Sequence, residues 1–311
     1  MSTFLVTGAA GFIGSNLAES LLAAGESLVL LDNFSTGKRE NIAPFEQARV
    51  IEGSIADLQT CREAVQGVDY VLHQAALPSV PRSIEDPIAS NDTNVAGTLN
   101  LLVAARDAGV KRFVYAGSSS VYGNSPTLPK VETMPTNPLS PYAIQKLTAE
   151  QYCKTFHDLF GLETIVLRYF NVFGPRQDPQ SQYSAVIPKF INAMLADESP
   201  VINGDGEHSR DFTYIDNVVH ANRLACEAPD VAAGEVYNCA CGERLSLNEL
   251  AGTIKEISGA NAEVTHGSAR PGDVEHSLAN IDKARKRLGY APRVSVREGL
   301  EKTVEWYRQR R

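Results

Sequence analysis

The fold is decided by the stretch Thr7-Gly8-Ala9-Ala10-Gly11-Phe12-Ile13-Gly14. An apolar run at residues 3–7 precedes it and predicts a strand, and an amphipathic segment with Leu17, Leu21 and Leu22 follows. Glycines at Gly-x-x-Gly-x-x-Gly spacing permit a tight turn, close approach of the backbone to a pyrophosphate, and close packing of helix on strand. The N-terminus of the following helix attracts negative charge. The stretch therefore predicts a dinucleotide-binding turn between a first strand and a first helix.

The same alternation continues beyond this turn. Short apolar runs at residues 27–31, 49–52, 70–73 and 112–116 are separated by segments compatible with helices. Strands that alternate with helices are typical of a parallel sheet covered by helices on both faces. We therefore expect an α/β fold with a Rossmann-type, doubly wound parallel sheet.

Two segments have apolar residues at near-helical spacing and predict long helices that face the core. The first places Val95, Leu99 and Leu102 at i, i+4 and i+7. The second carries its apolar side chains at Ile144, Leu147, Tyr152, Phe156 and Leu159.

The sequence pattern changes after about Phe173, where proline- and glycine-rich stretches begin to alternate with short helical segments. We expect residues 1–173 to form a dinucleotide-binding domain and residues 174–311 to form mainly a smaller α/β substrate-binding domain. The boundary is soft, because the chain can return to the first domain before it ends.

The composition is that of an enzyme-sized protein able to bury a large core, with 311 residues of which 43% are hydrophobic. The 29 Lys and Arg residues against 37 Asp and Glu residues give a formal charge of −8, so no broad positive field gathers nucleic acid. No apolar run approaches the ~20 residues that cross a bilayer, and no charged leader precedes the first strand. We expect a cytoplasmic protein that binds neither nucleic acid nor membrane and holds an anionic substrate through a local site.

The five cysteines are scattered and odd in number, which argues against a disulfide framework. Cys239 and Cys241 form a Cys-x-Cys pair, but no neighbouring Cys or His cluster completes a zinc site. We therefore expect free thiols and no metal. The other three cysteines are Cys61, Cys153 and Cys226.

An acid closes the second predicted strand. Asp32 lies eighteen positions after Gly14, where its carboxylate can accept hydrogen bonds from the ribose hydroxyls of adenosine. The carboxylate would also repel a 2′-phosphate, so NAD is preferred to NADP as the cofactor. Lys38 and Arg39 in the following loop are the argument for NADP, because basic side chains can bind its 2′-phosphate. A solvated basic turn explains these two residues better.

Tyr142-Ala143-Ile144-Gln145-Lys146 forms a Tyr-x-x-x-Lys element near the start of the second predicted helix. The i, i+4 spacing puts Tyr142 and Lys146 on one face. A phenol with its usual pKa of about 10 is a poor base at neutral pH, but a neighbouring ammonium and a positive nicotinamide both favour the phenolate. Tyr142 is therefore a candidate acid/base, although Tyr and Lys at this spacing are usually surface residues when nothing else accompanies them.

A run of hydroxyls ends the fifth predicted strand, in Tyr115-Ala116-Gly117-Ser118-Ser119-Ser120-Val121-Tyr122-Gly123. The carboxyl edge of a parallel sheet is where its ligands bind. A serine-rich turn explains an isolated triplet more simply. The position twenty-four residues before Tyr142 favours a catalytic hydroxyl at Ser118.

With these motifs, the chain resembles the extended short-chain dehydrogenase/reductases that modify nucleotide sugars, and among them bacterial UDP-N-acetylglucosamine 4-epimerases. The likeness covers nearly the whole chain. The resemblance implies an NAD-dependent enzyme that acts on a UDP-sugar, and it suggests a homodimer. It is carried by the glycine turn and Asp32, and by residues 73–76, 118–123, 142–146, 167–175, 210–212 and 270–273.

The resemblance implies roles for individual residues. Ser118 would hydrogen-bond the sugar 4-hydroxyl, Tyr142 would be the acid/base, and Lys146 would hold the nicotinamide ribose and lower the pKa of Tyr142. Beside the glycine turn and Asp32, further cofactor contacts are implied for Asn33, Ser35, Gly37, Ser54 and Ile55. Substrate contacts are implied for Ser119, Asn171, Gln177, Arg210, Arg270, Asp273 and Ser277.

Charge supports the arginines as anion ligands, because a guanidinium offers a fixed fork of donors to phosphate. The resemblance assigns Asn171 to the diphosphate, Arg210 and Arg270 to phosphate and ribose, and Asp273 to the uridine ribose. The alternative role for each arginine is that of a surface ion-pair partner. For Arg210 the partner would be the adjacent Asp211.

The implied reaction is inversion of carbon 4 through a 4-keto sugar, with the coenzyme bound throughout. Related dehydratases carry Asp-Glu after the catalytic hydroxyl and UDP-glucuronate decarboxylases carry Glu there, whereas this chain has Ser119-Ser120. Without that carboxyl group, elimination lacks its acid, so epimerisation ranks above dehydration and decarboxylation. A net oxidoreductase with exchangeable cofactor and an NAD-binding sensor or scaffold are the alternatives.

Substrate choice depends on volume in the implied sugar pocket. In the epimerases that the chain resembles, a small residue at the position of Ser277 leaves room for a 2-acetamido group, and Gln177 lies by the acetyl group. Two residues depart from the pattern: Pro78 replaces a glycine, which affects the acetyl pocket, and Ser54 replaces an aspartate that would receive the adenine amino group. We expect UDP-N-acetylglucosamine and UDP-N-acetylgalactosamine as substrates, with UDP-glucose and UDP-galactose as further candidates.

Overall fold

The structure is a computed structural model that describes residues 1–179, 185–268 and 275–310. Its strands are β1 (Thr3–Thr7), β2 (Ser27–Asp32), β3 (Arg49–Glu52), β4 (Tyr70–His73), β5 (Arg112–Ser118), β6 (Glu163–Tyr169), β7 (Val172–Phe173), β8 (Val201–Asn203), β9 (Ser209–Arg210), β10 (Thr213–Tyr214), β11 (Glu235–Cys239), β12 (Leu245–Ser246) and β13 (Thr265–Gly267). Its α-helices are α1 (Phe12–Ala23), α2 (Leu58–Ala64), α3 (Val80–Glu85), α4 (Pro87–Asn91), α5 (Thr98–Asp107), α6 (Pro141–Phe160), α7 (Val186–Leu195), α8 (Ile215–Glu227), α9 (Leu247–Ser258), α10 (Asp282–Leu288) and α11 (Val296–Arg308). A π-helix (Asp92–Gly97) joins α4 to α5, and 3₁₀ turns cover Arg39–Asn41, Ser119–Tyr122 and Asp230–Ala232.

Seven parallel strands form the central sheet, in the order β11-β6-β5-β4-β1-β2-β3. The predicted α/β, doubly wound parallel sheet is therefore confirmed. After β3 the chain crosses back and continues as β4 on the other side of β1. The strand order reverses at this point, which opens a crevice at the carboxyl ends of β1 and β4.

The two faces of the sheet pack against different helices, because strand side chains alternate in direction. On one face Leu5 and Val71 are buried with side chains of α2, α5 and α6. On the other face Val6 and Leu72 are buried with side chains of α1 and α8. Both layers keep the crevice at the carboxyl edge open to a ligand.

Two strands extend further than the apolar runs predicted. β2 continues to Asp32, and β5 continues through Gly117 to Ser118, which pairs with Tyr169 of β6. Asp32 pairs with Glu52 of β3 and Ser118 pairs with Tyr169 of β6, and these pairings extend the two strands past their apolar runs. As a result, Asp32 and Ser118 are fixed at strand ends rather than held on free loops.

The segment around Val95 is helical, but its inner face differs from the predicted one. Val95 and Leu99 are only half-buried, whereas Asn94 and Thr98 are buried. The side chain of Asn94 donates to the Gln145 carboxamide oxygen (2.8 Å) and accepts from the backbone N–H of Leu77 (2.8 Å). Because these bonds satisfy the polar groups, the π-helix turns its polar side inward.

The same correction applies to α6. Ile144 is 53% exposed and Leu159 is 71% exposed, so the prediction that both face the core is wrong. The buried face instead includes Gln145, Lys146 and Glu150. Each of these finds a partner, which is why an apolar pattern could not identify the inner face.

The chain after β6 builds a smaller layer and then returns to the sheet. β7 pairs with β10, β9 with β12, and β8 with β13, while α7, α9 and α11 pack together. β11 then lies beside β6 at the edge of the central sheet, with Cys239 opposite Tyr169. Residues beyond 173 thus contribute one strand to the first layer.

The described cysteines are all free thiols, four of them buried. Within the described ranges, no group of three or more His, Cys, Asp or Glu side chains could hold a metal ion. A search of the same part of the chain finds no helix that is long and apolar enough to span a bilayer.

Candidate active site

The glycine-rich turn forms a cradle at the carboxyl end of β1. Gly8 has φ +64°, and a Cβ there would lie 2.8 Å from the backbone of Ala75. A Cβ on Gly14 would overlap the carbonyl oxygen of Gly8, so only glycine permits this contact between α1 and the turn. The N-cap residue of α1 is Gly11, which has no side chain to bond the first N–H groups of the helix. The first N–H groups of the helix are thus left to a ligand.

Asp32 connects the glycine-rich turn to the loop after β2. Its carboxylate accepts hydrogen bonds from the backbone N–H groups of Ala10 (2.9 Å) and Phe34 (2.8 Å). A carboxylate has about four acceptor positions, so capacity remains for ribose hydroxyls. Of the two basic residues that follow, Lys38 pairs with Asp178 (3.5 Å) and Arg39 with Glu52 (2.6 Å).

A cavity of about 710 Å³ runs from the glycine-rich turn to Tyr142 and Lys146. The predicted cofactor residues that line it are Gly8, Gly11, Phe12, Ile13, Gly14, Asp32, Asn33, Ser35, Ser54, Ile55, Tyr142 and Lys146. Gly37 does not line the cavity. A Cβ on Gly37 would meet Ala10 Cβ at 2.8 Å and Asp32 Oδ1 at 3.0 Å, so this glycine allows the loop to pack behind Asp32.

The start of α6 brings Tyr142 and Lys146 to the far end of this cavity. Ser140 caps the helix by accepting from the backbone N–H of Ala143 (3.2 Å), and the N–H of Tyr142 donates to Ser83 Oγ (3.0 Å). The Nζ of Lys146 lies 5.9 Å from the centroid of the Tyr142 ring and donates to the carbonyl of Ala116 (2.9 Å). One of its three N–H donors is therefore occupied by β5.

Burial shifts both groups toward their neutral forms. It lowers the pKa of Lys146 to about 8 and raises the pKa of Tyr142 to about 12, with a hydrogen bond from Ser118 acting in the opposite direction on the phenol. Lys146 is not among the groups that shift the pKa of Tyr142 here, so its lowering of that pKa stays a prediction.

Ser118 ends β5 at the edge of the crevice and caps the following 3₁₀ turn. Its Oγ accepts from the backbone N–H of Ser120 (3.2 Å) and shares a hydrogen bond with the Ser120 hydroxyl (2.9 Å). Ser118 and Ser119 are both half-buried. The neighbouring Ala116 and Gly117 line the large cavity, whereas Ser118 lies just beyond its wall.

A second cavity of about 240 Å³ adjoins the first at Ala185 and is lined by Asn171 and Arg210. The side chain of Asn171 donates to Ser277 Oγ (3.2 Å) and to the carbonyl of Asp211 (3.0 Å). The guanidinium of Arg210 donates to the carbonyls of Ser209 and Glu275, both at 3.0 Å. The structure therefore brings three of the predicted substrate residues together.

The other predicted substrate residues are placed differently. Gln177 lines the large cavity rather than the second one, with its amide donating to the carbonyl of Val172 (3.2 Å). Arg270 and Asp273 lie outside the described residues.

Asp211 organises the backbone around the second cavity. Its buried carboxylate accepts hydrogen bonds from the N–H groups of Cys241 (3.0 Å), Gly242 (3.1 Å) and Ala279 (3.1 Å). Burial raises its pKa to about 7, against the effect of these three bonds. The carboxylate thus holds the end of the β11 segment beside the chain that carries Ser277.

Sequence reasoning missed several residues of the large cavity, including Thr93, Tyr169 and Arg176. Thr93 belongs to the π-helix, and Arg176 has a φ of +70°. Neither the π-helix nor a left-handed conformation of arginine has a recognisable pattern in a single sequence.

Comparison with known proteins identifies the family to which this geometry belongs. A model of the NAD dependent epimerase/dehydratase family matches residues 4–240. The chain belongs to this family. It is 39% identical over 311 residues to the UDP-glucose 4-epimerase of Mycolicibacterium smegmatis, and the match covers 98% of each chain.

Two solved structures share the fold over the whole length. The UDP-glucose 4-epimerase of Thermotoga maritima, solved with UDP-glucose, matches with a TM-score of 0.95 and 39% identity over 99% of each chain. The UDP-N-acetylglucosamine 4-epimerase of Methanobrevibacter ruminantium M1, solved with UDP-N-acetylmuramic acid, matches with the same TM-score and identity over 100% of this chain and 99% of the other.

The residues of this family member fit NAD as the cofactor. The cradle at Gly8 and Gly14 leaves no room for a Cβ, the N-terminus of α1 is uncapped by a side chain, and Asp32 lines the same cavity. The buried Nη1 of Arg176 has no hydrogen-bond partner in the described part of the chain. These features suit a diphosphate at the helix and a ribose at the carboxylate.

Proposed function

We propose that this protein is an isomerase that inverts carbon 4 of a UDP-hexose through a 4-keto intermediate. The observation that carries the proposal is the convergence of Tyr142 and Lys146 on the cavity that also holds the glycine-rich turn and Asp32. A sugar placed beside Tyr142 would have its hydroxyl next to the phenol and its carbon next to the cofactor.

The glycine-rich turn, Asp32 and Lys146 would hold NAD, which would supply a hydride acceptor and donor for carbon 4 and a positively charged nicotinamide ring. The phenol oxygen of Tyr142 takes the proton of the 4-hydroxyl and later gives it back. Ser118 hydrogen-bonds the same hydroxyl and holds it against Tyr142. Lys146 keeps two N–H donors beyond the bond to Ala116, which suit the hydroxyls of the nicotinamide ribose.

Anchoring of the UDP moiety makes inversion possible. Asn171 and Arg210 line the second cavity and would hold the diphosphate. For Arg270 and Asp273, contacts to the phosphate and the uridine ribose remain what the family resemblance implies. While the UDP moiety stays fixed, the keto sugar turns about its bonds to the phosphate and presents its other face. No net oxidation results.

The residues beside Ser118 favour epimerisation over elimination. Ser119 and Ser120 supply hydroxyls where a dehydratase needs a carboxylic acid to protonate the departing hydroxide. The Ser120 hydroxyl is hydrogen-bonded to Ser118, so it supports the catalytic hydroxyl.

We propose UDP-N-acetylglucosamine and UDP-N-acetylgalactosamine as the substrates, with UDP-glucose and UDP-galactose also accepted. Support comes from Ser277, a small side chain whose hydroxyl lies 3.2 Å from Asn171 Nδ2. Gln177 lines the large cavity, which shares Ala185 with the second cavity. An acetyl group would lie between Gln177 and Ser277.

A panel of UDP-sugars incubated with the purified protein tests the reaction, with the products identified by NMR. The expected result is a mixture of two carbon-4 epimers from either member of a pair, lost in Tyr142→Phe while NAD stays bound. Stoichiometric accumulation of NADH would instead show a net oxidoreductase. NAD binding without turnover of any UDP-sugar would show a sensor or scaffold.

We propose in addition a cytoplasmic homodimer that pairs through α3, α4 and α6. These helices pack side by side and expose Ile84, Ile88 and Ile144. Exposed apolar side chains on neighbouring elements can form a protein–protein contact. Light scattering after size exclusion should give twice the mass of one chain for wild type. The Ile88→Glu variant should give the mass of a single chain. The matched variant Val231→Glu, which alters an exposed apolar residue elsewhere, should stay dimeric. A monomeric wild-type protein would contradict this assembly.

A further inference from the structure

The segment of residues 175–178 closes one side of the large cavity. Asn16 of α1 donates to the carbonyl of Pro175 (3.2 Å), and Arg176 pairs with Glu19, also on α1. Lys38 pairs with Asp178 (3.5 Å), which adds a contact to the loop after β2. The segment is therefore attached both to α1 and to the loop after β2.

Arg176 is held in this segment in an uncommon state. Its φ of +70° is in the left-handed region, where an arginine is strained, and its side chain is 16% exposed. One edge of the guanidinium is used, because Nη2 pairs with Glu19. The other terminal nitrogen, Nη1, is buried without a hydrogen-bond partner in the described residues. A buried charged donor without a partner is costly, so its retention points to a ligand.

The position of Arg176 identifies that ligand. Arg176 lines the same cavity as Gly11, Phe12, Ile13 and Gly14. The first turn of α1 contains no acidic side chain that could neutralise the helix N-terminus. A guanidinium that keeps one edge on a carboxylate can present its other edge to phosphate oxygens. The uncapped helix and the buried Nη1 are thus two sources of positive charge at one cavity wall.

We propose that Arg176 is a cofactor-binding residue that donates from Nη1 to the diphosphate of NAD beside the glycine-rich turn. The resulting contact holds the cofactor through the 175–178 segment. The inference rests on NAD binding and is independent of which sugar is turned over. The diphosphate of a UDP-sugar has the same chemistry, so the experiment separates these two diphosphates.

The test measures NAD release from the full-length holoprotein by exchange with radiolabelled NAD, in wild type, Arg176→Gln, Arg176→Lys and Glu19→Gln. Loss of one charge-assisted hydrogen bond predicts release that is roughly ten- to a hundredfold faster in Arg176→Gln. Arg176→Lys keeps the charge and should recover part of this loss. Glu19→Gln is the matched control, because it breaks the same ion pair and leaves the guanidinium in place, so its release rate should stay near that of wild type.

Binding probes then separate the two diphosphates. ADP affinity should fall in Arg176→Gln about as much as NAD affinity, while the affinities for adenosine and for UDP stay unchanged. Equal effects of Arg176→Gln and Glu19→Gln on NAD release would show that the arginine acts only through its ion pair, which overturns the proposal. A loss of UDP affinity with unchanged NAD release would also overturn it. Neither result would touch the proposed epimerisation, whereas a wild-type protein that binds no NAD would overturn both.

Discussion

Arg168 of β6 and Glu150 of α6 form a two-pronged ion pair in which both side chains are 3% exposed. The Nε–Oε2 distance is 2.9 Å and the Nη2–Oε1 distance is 2.6 Å. The guanidinium also lies 4.7 Å from the centroid of the Tyr122 ring, in the turn that follows Ser118. The pair therefore ties the helix that carries Lys146 to the sheet edge that carries Ser118.

Breaking this pair from one side should cost more than removing it whole. Arg168→Met leaves the Glu150 carboxylate buried without its partner, so the free energy of unfolding should fall by about 3–5 kcal/mol. In the double variant Arg168→Met with Glu150→Met, most of that loss should be recovered, because no buried charge remains. Urea denaturation of wild type, Arg168→Met, Glu150→Met and the double variant measures the coupling. Additive losses would show that the two side chains do not interact energetically.

Lys146→Met should abolish turnover and yet stabilise the protein at pH 7. Burial lowers the pKa of Lys146 from 10.5 to about 8, so holding its charged form in the folded protein costs about 3 kcal/mol below pH 8. Allowing for the lost bond to Ala116, the free energy of unfolding should rise by about 1–3 kcal/mol. The cost disappears as the pH rises from 8 to 10.5, so the gain should shrink over that range. A variant less stable than wild type at pH 7 would show that burying the charged Lys146 does not destabilise the protein.

His73 is buried between β1 and α5 as a neutral ring. Thr98 Oγ1 donates to the carbonyl of Asn94 (2.8 Å), so it accepts from His73 Nε2 (2.9 Å). Nδ1 of His73 therefore accepts from the hydroxyl of Thr7 (2.7 Å). Burial, with a smaller effect from the Lys146 charge, lowers the pKa of His73 to about 3.

We predict that the buried neutral His73 makes the protein less stable in acid. Between pH 6.5 and 3 the unfolded chain binds a proton at His73 that the folded protein does not, so the free energy of unfolding falls as the pH falls. The loss at pH 5 should be about 2 kcal/mol relative to neutral pH. His73→Gln keeps a donor and an acceptor without a titrating ring, so denaturation curves at pH 7 and 5 should differ by that much less. Equal pH dependence in both proteins would show that His73 does not cause the acid loss.

Ser277→Tyr should reduce kcat/KM for UDP-N-acetylglucosamine by roughly tenfold or more, while activity on UDP-glucose is retained. The added ring would fill the space beside Asn171 that we propose for the acetamido group. Ser277→Ala is the control, because it removes the hydrogen bonds to Asn171 and the Asp211 N–H without adding volume. Assays of both sugars with each variant measure the change. Equal loss on both sugars in Ser277→Tyr would place the acetyl group elsewhere.

Five of the seven strands of the central sheet could be predicted from sequence, because the pattern of each is local. The five predicted strands, the turn at residues 7–14 and the acid at Asp32 each depend on a short pattern, and the structure has the strands where the apolar runs lie. The chemical roles of Ser118, Tyr142 and Lys146 stay predictions, although the structure brings the three residues to one edge of the sheet.

The inner faces of the helices could not be predicted, because buried polar pairs determine them. Gln145 and Glu150 face inward through partners more than ten residues away in sequence, and these displace Ile144 to the surface. The pKa of Tyr142 also depends on burial that no spacing reveals. Arg176 shows the same limit, since its pairing with Glu19 spans 157 positions of the chain.

The central claim is that hydride leaves and re-enters the same carbon of one bound sugar. A UDP-hexose deuterated at carbon 4, turned over in ordinary water and analysed by NMR, tests this claim directly. The account predicts that the epimer formed keeps its deuterium at carbon 4 and that free NAD in the solution gains none. Loss of the label to solvent, or its appearance in free NADH, would contradict the account.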